Sequence, residues 1–332
     1  MNTENAKLLV IGAGVNGSAV MTKLVGAGLD AKVLARGKRY VEIKEEGIII
    51  EDPFNNKRTV TKVPVINCLE PTDTYDYILV IVRKNQIADL LPVLAKNRSP
   101  NIVFMGNNLS GPDEFAKVID NKRIMLGTAV AGGKRDGDII RAMTSTPLPS
   151  PFGEIDGVIT PRLKQLVKIL KSVGIKATTS TNIIDIQMTH AVGVALIGKL
   201  TMKYNCDLAA LGQNTEDLKL YVDGGREAHQ VLRALGHKIV PFTEDFIRII
   251  PSSLQIAGMR ALLNSKLGEV GLAYHVFQAP DEMIQLADEL RALIDQAGLP
   301  VPAIKKILNL CQSPKHARQI DQQEILGVIT FL

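Results

Sequence analysis

The short apolar run Lys7–Ile11 ends in Gly12-Ala13-Gly14-Val15-Asn16-Gly17, and a helical pattern carrying Val20, Leu24 and Val25 follows directly. Strand, glycine turn and helix start, in that order, are the context in which GxGxxG spacing seats the pyrophosphate of a dinucleotide. Gly12 permits the tight turn, Gly14 lets the backbone approach the phosphates, and Gly17 lets the helix close onto the strand. Ala13, Val15 and Asn16 complete a loop whose amides, with the unpaired N–H groups of the helix start, face the anion. A glycine turn without a ligand is the plain alternative. The second strand ends Val33-Leu34-Ala35-Arg36-Gly37-Lys38-Arg39. An NAD site usually carries an acidic residue here for the ribose hydroxyls. A guanidinium instead suits the 2′-phosphate that distinguishes NADP. Arg36 is the leading candidate, with Lys38 or Arg39 assisting, and the reading favours NADPH over NADH. A solvated basic turn is the competing account of the same residues.

The elements that must position this loop alternate strand and helix. Ala31–Ala35, Tyr77–Val82, Ile102–Met105 and Arg123–Ala129 read as strands, and Ile87–Ala95 as a helix. Gly47–Glu51 and Thr59–Val65, with Pro53 to Lys57 between them, read as a hairpin. Helix Arg162–Ser172 and strand Ile175–Thr179 close the first domain, and from about Asn182 the periodicity is helical almost throughout. The fold expected is α/β: a Rossmann-like, doubly wound parallel sheet followed by an all-helical C-terminal domain. The domains are read as residues 1–181 for NADP binding and 182–332 for substrate binding and dimerisation. The apolar helix Thr189–Leu200 offers a surface for a second subunit, which makes a homodimer the expected assembly.

A length of 332 residues exceeds the usual single core, in keeping with two domains. The net charge of +5 is spread along the chain, without a basic run or interleaved aromatics, so no nucleic-acid partner is expected. Cys68, Cys206 and Cys311 are widely spaced and form no CxxC pair, and the five histidines form no HxxxH, so neither a disulfide framework nor a metal site is expected. The N-terminus lacks a basic region ahead of an apolar core, and the longest apolar stretch, Ala191 to Gly198, is far too short to span a bilayer. A soluble cytoplasmic protein without a membrane partner is expected.

With these segments in view, the sequence resembles the ketopantoate reductase (2-dehydropantoate 2-reductase) family. The likeness is carried by the Gly12–Gly17 loop with Arg36-Gly37, by Val80-Ile-Val-Arg-Lys-Asn-Gln86, and by Gly106-Asn107-Asn108-Leu-Ser-Gly111. Met125 to Gly137 and Gly298-Leu-Pro-Val-Pro302 add to it. The resemblance implies a Rossmann domain followed by a helical domain with the substrate between them. It also implies that Arg83 takes the place of a Lys beside the cofactor's ribose phosphate, and that Asn107 contacts cofactor and substrate.

In the family, a Lys on the first helix of the second domain protonates or polarises the ketone, two Asn residues on that helix grip the substrate, and a later Glu contributes to the site. Alignment places His190 at the Lys, Val194 and Gly198 at the Asn positions, and Glu282 at the Glu, reached without a gap from Gly298 to Pro302. Ser253 corresponds to a family substrate contact, with an extra stretch across residues 264–279 between it and Glu282. Lys199 lies nine positions from His190, about 180° around the helix, and cannot simply substitute. An imidazolium at His190, favoured by the Glu282 carboxylate, could donate the proton. Loss of the two Asn contacts implies an opened pocket suited to a bulkier or more apolar 2-oxo acid or ketone. The function implied is NADPH-dependent reduction of such a compound. The alternative is a catalytically degenerate NADP(H)-binding sensor or partner-binding protein on the same scaffold.

Overall fold

Four fully buried residues, Leu8–Ile11, form the strand around which the first half is built. The computed structural model describes residues 6–144 and 148–310, and the chain divides into two units, Met1–Gln187 and Met188–Leu332. Cys311 lies outside the described residues.

The first unit runs β1 (Leu8–Ile11), α1 (Val15–Gly26), β2 (Ala31–Leu34), α2 (Gly37–Glu46), β3 (Ile48–Glu51), β4 (Arg58–Thr61), β5 (Val65–Ile66) and β6 (Tyr77–Val80). It continues with α3 (Ile87–Lys96), β7 (Ile102–Met105), α4 (Asp113–Ala116), β8 (Ile124–Gly127), β9 (Gly132–Asp136), β10 (Ile139–Met143), β11 (Ser150–Glu154), α5 (Pro161–Ser172) and β12 (Ala177–Thr179). Eight strands form one sheet in the order β12-β11-β8-β7-β6-β1-β2-β5. The six from β8 to β5 are parallel.

Side chains alternate across β1, and the two faces have separate cores. Leu8 and Val10 pack with Val20, Met21 and Leu24 of α1 and with Leu163, Leu166 and Leu170 of α5. Leu9 and Ile11 pack with Leu90, Leu91 and Leu94 of α3 and with Phe115. Helices on both faces of a parallel sheet make this the expected doubly wound arrangement.

Three features depart from the sequence reading. The expected hairpin exists as β3–β4, but it joins β10 and β9 in a second sheet of order β4-β3-β10-β9. The segment after Arg36, read as a basic turn, is helix α2, whose polar sequence buries only Arg39 and Ile43. Strand β11 runs through Pro151 and pairs antiparallel to β8, so the main sheet is mixed.

Helix α6 (Ile183–Lys203) begins in the first unit and continues into the second. The second unit then runs α7 (Leu208–Gln213), α8 (Thr215–Ala234), α9 (Phe242–Phe246), α10 (Ser252–Leu263), α11 (Lys266–Gly268), a π-helical turn Glu269–Ala273, α12 (Tyr274–Gln278), α13 (Pro280–Ala297) and α14 (Pro302–Leu308). By length and composition α6 could cross a membrane, but 67% of its apolar window is buried in the protein, as in a core helix. Ala191, Val192, Ala195, Leu196 and Leu200 are all buried, so α6 does not present the free apolar face that the sequence suggested for a second subunit.

The far side of the first sheet is locked by charge. Glu154, 4% exposed, accepts from Arg162 Nε at 2.8 Å and also from Arg162 Nη2 and Thr160 Oγ1. Removing one partner of a buried pair costs about 3–5 kcal/mol, because the other charge is left uncompensated. Arg162→Met is expected to lower stability in urea titrations by about 3 kcal/mol, with part of that loss recovered when Glu154→Leu is added.

Candidate functional site

The glycine loop leaves β1 at the carboxyl end of the parallel sheet. Gly12 has φ +105°, and a Cβ there would lie 2.2 Å from the Ile81 carbonyl oxygen. A Cβ at Gly17 would lie 1.8 Å from the carbonyl oxygen of Gly12. Both positions exclude any side chain, and together they draw β1, α1 and the end of β6 into one tight corner. Gly14 differs: nothing lies within 4 Å of its would-be Cβ. It is the N-cap of the twelve-residue α1, no side chain caps the helix, and its first turn holds no acidic residue. A sterically required turn, an open glycine and an uncapped helix start fit a dinucleotide pyrophosphate.

The other loop residues divide the work. Ala13 is buried, and its carbonyl accepts from Ser18 Oγ at 3.1 Å and from Arg39 Nε at 3.2 Å. Val15 packs against the first-unit core. The Asn16 side chain is occupied within the protein, its Oδ1 accepting from Val130 N at 2.9 Å and Ala131 N at 2.8 Å. Asn16 can therefore serve a cofactor through its backbone, while its amide ties the β8–β9 connection to the loop.

The basic segment also separates by position. Arg36 is the exposed N-cap of α2, so guanidinium and helix N-terminus coincide there. Lys38 is exposed and lies 3.7 Å from Glu42. Arg39 is buried, donating to Ala13 O, Glu42 Oε2 and Asp138 O. Its role is to tie the glycine loop to the β9–β10 turn. Burial lowers its pKa, partly offset by its hydrogen bond to Glu42.

At the ends of the next strands, Arg83 precedes the short 3-10 turn Lys84–Gln86, and its backbone N–H donates to Gln86 Oε1 at 3.3 Å. Asn108 is the turn former: its Nδ2 donates to Gly111 O and its Oδ1 accepts from Ser110 N. Asn107 instead lines a small recess with Val82, Phe104, Gly106, Phe115 and Gln187. Two residues that sequence reasoning missed hold this region. The buried Lys84 pairs with Glu114. Gln187, 3% exposed, donates to Gly127 O at 2.8 Å and Gly106 O at 3.3 Å, fixing the strand ends on either side of Asn107.

In the second unit, His190 stands on α6 and Glu282 in the first turn of α13. No hydrogen bond or ion pair joins them among the described residues. Glu282, 4% exposed, instead has His275 Nε2 at 3.4 Å. His190 is exposed to solvent. Desolvation, and after it the positive charge of His275, lower its pKa. The shift runs opposite to the charged imidazolium expected from sequence. Ser253 is exposed on α10, and among the described residues no hydrogen bond links it to His190 or Glu282. No cluster of His, Cys, Asp or Glu among the described residues could hold a metal ion.

Residues 8–154 match the family model described as ketopantoate reductase PanE/ApbA. The match lies within the first unit and stops before α5. The chain also resembles the solved 2-dehydropantoate 2-reductase from Geobacter metallireducens GS-15, at 15% identity and TM-score 0.76, with 92% of this chain and 98% of that one covered. A D-mandelate dehydrogenase solved with NADH and anilino(oxo)acetate is similar at 16% identity and TM-score 0.74, covering 92% and 96%. A dimeric ketopantoate reductase from Staphylococcus aureus follows at 15% identity and TM-score 0.68, covering 91% and 96%. At such identities these likenesses establish the fold, a Rossmann domain followed by a helical one. No curated protein matches the chain at a significant level.

Against the ketopantoate reductase pattern, the expectation of an opened pocket at Gly198 is corrected by packing. A Cβ at Gly198 would lie 2.4 Å from Met283 Sδ. The thioether of the residue next to Glu282 has taken the space that a side chain on α6 would occupy. Gly198→Ala is expected to lower the melting temperature through this clash, at about 1–3 kcal/mol, with recovery in the Gly198→Ala/Met283→Ala double variant. Gln187→Leu, which leaves two strand-end carbonyls without their donor, is expected to cost about 1–3 kcal/mol by the same assay.

Proposed function

We propose that the protein is an NADPH-dependent reductase of a 2-oxo acid or related ketone. The observation that carries the reading is the pairing of a tight loop, in which neither Gly12 nor Gly17 leaves room for a side chain, with an exposed Arg36 at the start of α2. The amides of Gly12–Gly17 would hold the pyrophosphate. Arg36, assisted by Lys38, would pair with the 2′-phosphate, Arg83 would add charge beside the ribose, and Asn107 would contact the nicotinamide end and the substrate. The bound dinucleotide would supply a hydride to the carbonyl carbon. Residues 1–181 form the cofactor domain in this proposal and 182–332 the substrate domain. The family match and the D-mandelate dehydrogenase likeness, a protein bound to NADH and an oxo acid, support the reaction class.

Negative charge builds on the carbonyl oxygen as hydride arrives, so a donor aimed there lowers the barrier. We assign that task to His190, with Glu282 as the carboxylate of the site and Ser253 as a substrate contact. With its pKa lowered, His190 is largely neutral near pH 7 and donates a hydrogen bond rather than a net positive charge. Its share of the rate should rise as pH falls through a midpoint below the usual imidazole range.

A panel of 2-oxo acids with NADPH tests the reading. Oxidation of NADPH by at least one member is expected, with kcat reduced about 100-fold or more in Glu282→Ala and a flattened acid limb in His190→Ala. Arg36→Ala is expected to weaken NADPH about tenfold while leaving NADH within twofold. NADPH that raises the melting temperature but is oxidised by no 2-oxo acid would instead support the binding-protein reading. The assembly proposed is a homodimer. The exposed Phe242, Phe246, Ile249 and Leu254 of the second unit supply apolar surface for it. Light scattering is expected to give twice 36.1 kDa, and half that value in Phe246→Glu.

A further inference from the structure

Helix α2 opens with Arg36, Lys38 and Arg39, and Glu42 follows one turn later. Residues three or four apart share a helix face, so Lys38 and Arg39 both meet Glu42. Glu42 Oε2 stands 3.1 Å from Arg39 Nη1, and Oε1 stands 3.7 Å from Lys38 Nζ. A third cation comes from outside the helix. Arg135, on β9 of the second sheet, brings Nη2 to 3.8 Å from the same Glu42 Oε1. The Glu42 side chain is only 11% exposed, whereas Lys38 and Arg135 are 83% and 35% exposed, so the carboxylate is covered while two of its cations reach solvent. All of these residues belong to the first unit.

The β9–β10 turn anchors both guanidinium groups through adjacent carbonyls. Gly137 O accepts from Arg135 Nε at 2.8 Å, and Asp138 O accepts from Arg39 Nη1 at 3.2 Å. Arg39 also donates from Nε to Ala13 O, which ties the cluster to the glycine loop. Arg135 is close enough to Arg39 for their like charges to oppose each other, and Glu42 and Asp138 are the carboxylates that act in the other direction. Nη2 of Arg39 is buried and has no hydrogen-bond partner among the described residues. Buried donors are normally satisfied, by a bound group or water where the protein does not serve. Cations gathered in excess of the carboxylates beside them favour an added anion.

We propose that Arg135 is a second guanidinium for the 2′-phosphate of NADPH, and that Glu42 is the positioning residue that keeps Arg135 and Lys38 together beside α2. The inference rests on the NADPH reading above. Arg36 serves the phosphate from the start of α2 and Arg135 serves it from β9, each with N–H groups suited to paired phosphate oxygens. The contacts of Lys38 and Arg135 with Glu42 are longer than hydrogen bonds, so turning either cation toward a phosphate breaks none there. Arg39 differs. Its hydrogen bonds to Ala13, Glu42 and Asp138 keep it in place as the strut around which the exposed cations are arranged.

Two half-ligands test this without turnover. Adenosine 2′,5′-bisphosphate and adenosine 5′-monophosphate differ only by the 2′-phosphate, and calorimetric titration of the full chain with each isolates that group. Arg135→Ala is expected to weaken the bisphosphate about tenfold and to leave the monophosphate within twofold, while Arg135→Lys, which keeps the charge, recovers about threefold of the loss. Glu42→Gln separates positioning from charge. Removing a carboxylate from a cationic site should tighten an anion if Glu42 only repels it, whereas loss of an organising group should weaken the bisphosphate by about threefold. Bisphosphate binding that is unchanged in Arg135→Ala, or that falls no further than monophosphate binding, removes Arg135 from the phosphate site. Tighter or unchanged bisphosphate binding in Glu42→Gln removes the positioning role. An original chain that binds the bisphosphate no better than the monophosphate overturns the NADPH reading itself, and this inference falls with it; a clear preference that survives in Arg135→Ala overturns this inference alone.

Discussion

The first unit depends on the close approach of three backbones at the end of β1. The carbonyl oxygens of Gly12 and Ile81 stand where a side chain at Gly17 or Gly12 would have to be. Because that corner closes, α1 begins directly over the carboxyl ends of β1 and β6, and its uncapped N–H groups share one small volume. Long-range ties then hold the loop in place. Asn16 binds the backbone at Val130 and Ala131, and Arg39 binds Ala13 and Asp138. Two residues that sit within or beside a cofactor motif thus act as struts, which makes the loop rigid before any ligand arrives.

The same economy appears at the next strand ends. Gln187 spends both its bonds on the carbonyls of Gly106 and Gly127, and Asn108 spends its amide on its own turn. Asn107 is thereby fixed in backbone position by neighbours on either side. Preorganisation of this kind costs nothing at the moment of binding, because the loops do not have to be ordered by the ligand.

Legibility in the sequence followed how local each cause was. The glycine loop could be read because its steric requirement lies within six residues. Parallel strands β1, β6, β7 and β8 could be read because burial on both faces leaves unbroken apolar runs. Helix α2 escaped notice because Gly-Lys-Arg-Tyr-Val-Glu-Ile-Lys-Glu-Glu buries only Arg39 and Ile43, too narrow a stripe to announce a period. That helix decides which of three adjacent cations faces solvent, so Arg36 and Arg39 could not be told apart beforehand. Strand β11 was hidden by Pro151, which normally argues against a paired strand. The contact of His275 with Glu282 was hidden for another reason: the two lie on successive helices, α12 and α13, on either side of the break at Ala279.

The two units also differ in the kind of demand placed on them. Holding a pyrophosphate against backbone amides is a steric problem with few solutions, so its residues form a motif. Delivering a proton is an electrostatic problem with several. An ammonium has a reference pKa of about 10.4 and stays charged at neutral pH unaided, whereas an imidazole, at about 6.5, does so only with a carboxylate at hand. At the carboxylate of Glu282 the second unit places an imidazole, His275 Nε2 at 3.4 Å, rather than an ammonium. A cation that must be maintained by its surroundings is also one that pH can remove, so a proton held by an imidazole follows pH near neutrality where one held by an ammonium does not.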